Sequence, residues 1–179
     1  MLKLKIPSSE IFDEKTSRFI TIKGQDIQIE HSLVSVSKWE SKWKKPFLGD
    51  KPKSREETID YIRCMTITQN VDPSVYIGLS DQNIRDVNAY IDDPMTATTF
   101  KNTERKQSRQ IVTSEIIYYW MISLDIPMEC QKWHLNRLLA LIRVCDEKNK
   151  PGKNKSRKEI MAENRALNQM RRAKSGTRG

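Results

Sequence analysis

The sequence predicts an α+β chain that is mainly α: a small N-terminal antiparallel β-sheet, then a helical domain, then a basic C-terminal helix and tail. Three observations carry this. Strict apolar–polar alternation is confined to the first thirty residues. Apolar residues at spacings of three and four follow, densest in 111–145. The charge then splits: residues 148–179 carry eleven Lys or Arg and two Glu, whereas residues 1–147 carry 21 basic and 21 acidic side chains. Boundaries therefore fall at 1–34, 35–147 and 148–179. A length of 179 residues fits one modest domain with an appendage. Apolar residues make up 37% and charged residues 31%, so the core is small or confined to part of the chain.

Each element has a local cause. Leu2, Leu4 and Ile6 alternate with Lys3 and Lys5, Ile20 and Ile22 with Thr21 and Lys23, and Ile27 and Ile29 with Gln28 and Glu30. Period two places each aliphatic set on one sheet face. Lys23-Gly24-Gln25-Asp26 is the expected hairpin turn between the last two of three strands. Ser35 or Ser37 is the expected cap of a helix bearing Val36, Trp39 and Trp43, ended by Pro46, Gly49 and Pro52. Ser54-Arg55-Glu56-Glu57 is a capping box, with Ile59, Ile62 and Met65 on the following apolar face. Asp72-Pro73 and Gly78 break the chain. Ser80 then caps a helix from about Asp81 to Ile91 whose inner face is Ile84, Val87 and Ile91. Residues 101–110 are polar and basic, as an exposed loop requires.

Thr113-Ser114-Glu115 opens a helix apolar on nearly every side, from Ile116 to Leu124, which predicts a central position. After Pro127 a further helix is expected over about Met128 to Lys148, packed on its predecessor as a helical hairpin. Beyond Pro151-Gly152 the periodicity allows an amphipathic helix from Ser156 to about Ala173, with Ser156 and Glu159 as its capping box and a frayed end after it.

Several function classes are disfavoured. No run approaches the roughly 18–20 apolar residues that span a bilayer, and the first residues lack the apolar stretch of a signal peptide, so a cytoplasmic protein is expected. Cys64, Cys130 and Cys145 are odd in number and widely spaced, which suits reduced, buried thiols. Cys130 and His134 have helical ligand spacing, yet no third and fourth ligand follow, and His31 is distant in sequence; core packing is the better reading. No nucleophile elbow, reactive-cysteine context or glycine-rich phosphate loop occurs. No catalytic, cofactor-binding or metal residue is therefore assigned, and an enzyme is not expected.

Two segments stand out as binding candidates. Trp39 and Trp43 lie among Lys38, Lys42, Lys44 and Lys45. That pattern suits a basic aromatic platform for single strands. Its four-residue tryptophan spacing fits better with an amphipathic helix whose lysines snorkel to water. The basic tail suits sequence-blind contact with phosphates or an arm that orders on a protein. Leu167 and Met170 among Arg165, Arg171 and Arg172 favour the protein.

Ser37-Lys38-Trp39-Glu40-Ser41-Lys42-Trp43-Lys44-Lys45-Pro46-Phe47-Leu48 resembles a signature of bacteriophage tail assembly chaperones. Blocks at 60–65, 90–98, 115–121, 129–139 and 164–168 resemble the same family, so the likeness covers about residues 33–172. It implies a non-catalytic, cofactor-free factor of long-tailed phages. Such a factor binds the tape-measure protein, keeps that helical chain soluble and helps recruit tail-tube subunits. It also implies host-cytoplasmic location, absence from the mature virion, and a second, longer form made by frameshifting. Trp39, Trp43, Lys44, Lys45 and Phe47 form one expected contact surface, provided the aromatics are exposed. Arg165, Leu167, Met170, Arg171 and Arg172 form the other. The alternative is a nucleic-acid-associated or virion structural protein that acts through the tail.

Overall fold

The computed structural model describes residues 1–13, 17–49, 51–100, 111–149 and 157–175. The loop expected at 101–110, the side chains of the Ser156–Glu159 capping box and the end expected to fray at 176–179 lie outside the described residues. The chain is α+β and mainly α.

Four strands, not three, form at the N-terminus: β1 (Leu2–Ile6), β2 (Ser9–Asp13), β3 (Arg18–Ile22) and β4 (Gln25–Ile29). The hairpin expected at 23–26 is absent. β1 pairs antiparallel with β4, and β2 with β3. Leu2 faces Ile29, Ile6 faces Gln25, Ser9 faces Ile22 and Asp13 faces Arg18. The partner numbers of every pair share one sum, so the two ladders are a single ribbon in continuous register, interrupted where Pro7–Ser8 pass Lys23–Gly24. Pro7 has no amide hydrogen to give a ladder. A Cβ on Gly24 would lie 2.6 Å from the Ser8 amide nitrogen, so this close approach requires glycine. The Lys-Gly signal thus marks an interruption in the ribbon, and the chain reverses between β2 and β3. Adjacent Ile11 and Phe12 spoil the alternation that would have signalled β2.

Leu4, Ile6, Ile22, Ile27 and Ile29 are buried. Most join a cluster with Leu33, Val36, Trp39, Ile62, Met65, Ile117, Met121, Leu135 and Leu138. Burying each large aliphatic side chain contributes about 1.5–3 kcal/mol. Strands and helices therefore share one core, the helices covering the apolar side of the 1–34 β element. The chain divides into a body, Met1–Cys145, and a C-terminal unit, Asp146–Gly179.

In the body, α1 (Leu33–Trp43) begins earlier than expected because Ser32 is its cap. The Ser32 hydroxyl accepts from the Ser35 amide, and Ser35 Oγ accepts from the Ser32 amide. Lys44 ends the helix in the left-handed region at φ 53°. α2 (Arg55–Met65) has the predicted Ser54–Glu57 capping box. A 3-10 turn at Pro73–Tyr76 follows, where Asp72 accepts from the Ser74 amide. α3 (Asp81–Asp92) is capped by Ser80 as predicted, with Asn83 reciprocating. Its buried residues are Val87 and Tyr90, while Ile84 and Ile91 are half-buried.

Two helical expectations fail. α4 (Ser114–Ser123) is not central: Ile117 and Met121 are buried, but Tyr119 and Ile122 are about two-thirds exposed. It packs chiefly on α1 rather than forming a hairpin with its successor. The predicted 128–148 helix is interrupted. A 3-10 stretch at Met128–Lys132 precedes α5 (Leu135–Asn149). Between them, Ser32 and His134 form a β-bridge, and the Leu135 amide donates to the His31 carbonyl at 2.7 Å. That backbone pairing draws 133–134 out of helical geometry.

In the C-terminal unit, α6 (Arg157–Ser175) is the expected amphipathic helix, with Met161, Leu167 and Met170 exposed. No helix among the described residues is long and apolar enough to cross a membrane.

Candidate interaction surfaces

The Trp39–Phe47 segment is a joint between α1 and α2. Trp39 Nε1–H donates to the Glu57 carbonyl, and Trp43 Nε1–H to Asp60 Oδ2, both at 2.9 Å. The two indoles stack at 6.1 Å, one helical turn apart. Lys42 pairs with Asp60, Lys45 with Glu57 at 2.5 Å, and both ammonium groups sit just under 6 Å from the Trp43 ring. Phe47 packs 5.3 Å from Trp39 and 4.0 Å from Tyr61, with the Lys53 ammonium 4.2 Å over its ring.

These contacts correct the first expected surface. Trp39 is 1% exposed and Phe47 6%, so neither presents a face to a partner. Trp43 is half-buried; Lys44 and Lys45 are exposed, Lys45 within its ion pair. Burial alone would raise the Asp60 carboxyl, but the Lys42 and Trp43 hydrogen bonds and the Lys42 and Arg63 charges hold it below the usual carboxylate range. Glu57 is held low as well, first by the Lys45 hydrogen bond and then by the Ser54 amide.

Glu40 joins this segment to α4. Its Oε1 accepts from the Phe47 amide at 2.7 Å and its Oε2 from the Ser114 amide at 2.8 Å. Thr113 makes no side-chain cap, so the buried Glu40 carboxylate serves the positive N-terminus of α4 from another helix.

The fold also gathers both histidines. His31 and His134 are buried with ring centroids 5.0 Å apart. Tyr61 O–H lies 2.5 Å from His31 Nδ1. His134 donates from Nε2 to the Tyr90 carbonyl and accepts from the Asn136 amide, which fixes its tautomer. Tyr90 O–H donates to Glu30. Burial pushes the Tyr61 and Tyr90 phenols up. Cys130, four residues before His134, is buried, whereas Cys64 and Cys145 are only half-buried. Among the described residues no group of three or more His, Cys, Asp or Glu is placed to hold a metal.

Burial, then the His134 and Lys53 charges, pushes His31 down to about 3. An unfolded histidine takes its proton near pH 6.5. The unfolded chain therefore binds more protons between these values, so stability is fully present above about pH 6.5 and declines as pH falls toward 3. Acidification from pH 6.5 to 5 should remove about 2 kcal/mol through this group. Glu57 and Asp60, with lowered values, lose their contributions only below the ordinary carboxylate range. Urea midpoints at pH 7.5 and 5 test this: the native chain should weaken, and His31→Asn, which keeps an acceptor for Tyr61, should weaken far less.

Among the described residues, exposed apolar side chains lie on two helices as well as on the β2–β3 pair, where Phe12 and Phe19 meet edge to face. On the body, Ile111, Tyr119 and Ile122 are each more than 60% exposed, with exposed Glu115 at helical spacing from Tyr119. In the C-terminal unit, Arg165, Leu167, Met170, Arg171 and Arg172 are all exposed. Helical spacing puts Ala166, Leu167 and Met170 on one side of α6, and Arg165 and Arg172 on the other. Sequence reasoning missed the α4 face, the Glu40 link and the histidine pair. Exposed Tyr119 and Ile122 could have been found only by knowing which side of α4 meets α1. The chain matches no family model, no curated protein and no solved structure.

Proposed function

We propose that this chain is a non-catalytic phage tail assembly chaperone that binds the tape-measure protein and assists tail-tube assembly. The observation that carries the reading is α6, nineteen residues long, with Leu167 and Met170 exposed beside exposed arginines. An amphipathic helix of this kind suits weak, repeated helix–helix contact with a long helical client. Phosphate binding needs the arginines and has no use for Leu167 or Met170. The likeness of residues 33–172 to the chaperone signature supplies the client's identity.

The test is capture of the tape-measure protein encoded in the same genome, after nuclease treatment. The full chain, the 1–149 truncation and a Leu167→Glu/Met170→Glu variant are compared. The full chain should retain the client at moderate salt, and both altered forms should lose at least tenfold. Recovery of nucleic acid instead, with salt-sensitive binding indifferent to the double substitution, would move the assignment to a phosphate-binding protein.

A further inference from the structure

Three parts of the body converge on one cleft. Thr58 and Tyr61 are three residues apart on α2, and Asn88 and Ile91 three apart on α3, so each pair shares a helix face. Those two faces and the segment joining α1 to α2, with Phe47, Leu48 and Lys53, line a cavity of about 270 Å³. Phe47 and Tyr61 are the buried part of the lining, and Leu48 and Ile91 the more accessible aliphatic part. That volume is at the small end of ligand sites, whose walls are mostly apolar with a few placed polar groups.

Lys53 is the cation of this lining. It is half-buried, and its ammonium lies 4.2 Å over the Phe47 ring and 5.9 Å from Trp39. Among the described residues no carboxylate lies within ion-pair distance of it; the acids nearby are spent on other lysines, Glu57 on Lys45 and Asp60 on Lys42. Glu57 attracts it from farther off, but Glu57 Oε2 is also taken, by the Ser54 amide. Aromatic faces make up only part of the hydration that burial removes. Burial accordingly holds the amine below the ordinary lysine range. A carboxylate entering the cleft supplies the missing partner, in a site that salt screens less than open surface.

The other polar groups narrow the class of anion. The Thr58 hydroxyl already donates to the Ser54 carbonyl at 3.0 Å, and the Tyr61 hydroxyl is engaged with His31. Asn88 is exposed, with amide hydrogens to give. One ammonium and one amide suit the single charge and two oxygens of a carboxylate, whereas a phosphate dianion calls for more donors. We propose that the cleft binds a small monocarboxylate with an apolar body, the acid group on Lys53 and Asn88 and the body against Leu48, Ile91 and the Phe47 and Tyr61 rings. The site is separate from α6 and does not depend on a helical client.

The probe is phenylacetate, titrated into the full chain and followed by amide NMR, with phenylacetamide and acetate as comparators. Phenylacetate should saturate, with shifts centred on the Phe47, Leu48, Lys53 and Ile91 amides. Phenylacetamide keeps the body without the charge, and acetate the charge without the body; each should bind at least tenfold more weakly. Lys53→Met keeps the stem and should weaken phenylacetate at least tenfold while leaving phenylacetamide unchanged. Leu48→Ser, at a site 40% exposed, should weaken both aryl probes severalfold. Both variants should keep the native spectrum outside the cleft. Shifts that never saturate, that spread over the exposed lysines, or that persist unchanged in Lys53→Met overturn the proposal, as does equal binding of acid and amide. Displacement of phenylacetate by an equal concentration of inorganic phosphate overturns it too, in favour of a general anion site.

Discussion

Trp39→Ala is expected to destabilise the body by about 3–5 kcal/mol, the range for deleting a fully packed aromatic ring. The ring is 1% exposed and held on two sides, by Trp43 at 6.1 Å and Phe47 at 5.3 Å. Its N–H is spent on the Glu57 carbonyl, so truncation also releases α2. Trp39→Phe separates the two effects: it keeps most of the apolar area, forfeits the donor, and should cost about 1 kcal/mol for the hydrogen bond plus a smaller packing loss. Urea denaturation with an unchanged slope reads the difference directly. If Trp39→Ala left the midpoint in place while client capture fell, the tryptophan would be a contact residue and the joint described above would be wrong.

Glu40→Ala should lower stability by about 3 kcal/mol, since it strips two buried amides of their acceptor at about 1–3 kcal/mol each. For a chain of this size that corresponds to a melting temperature lower by roughly 6–12 °C. Glu40→Gln should not rescue it. One amide oxygen can serve Phe47 or Ser114, and the NH2 group then faces the other donor. Amide exchange locates the damage: the Phe47 and Ser114 protons should exchange faster in both variants, with α2 less affected. Protection of Ser114 equal to that of the native chain would show that α4 has another cap.

What the sequence revealed depended on how local the cause was. The caps of α2 and α3 were legible because Ser54–Glu57 and Ser80–Asn83 act within four residues. The start of α1 was missed because Ser35 looks like a cap and is instead the reciprocal partner of Ser32. The helical spacing of Trp39 and Trp43 was legible. Their hydrogen bonds to Glu57 and Asp60 were not, because those depend on the packing of two helices. His31 and His134 meet through a β-bridge between segments about a hundred residues apart, and Glu40 reaches Ser114 across 74. No pattern in composition anticipates such meetings. The position of α4 was misread for a related reason: periodicity reports that a helix is apolar, but not how many of its sides find neighbours.

The continuous register of the N-terminal ribbon bears on how the lengths of its segments can vary. Residues added or removed at the tip between β2 and β3 leave every existing pair in place. A single deletion at Pro7–Ser8 instead slides β1 by one position against β4 and turns Leu4 and Ile6 toward water. Only a compensating change at Lys23–Gly24 would restore the match. Two short stretches far apart in the sequence are thus coupled in length.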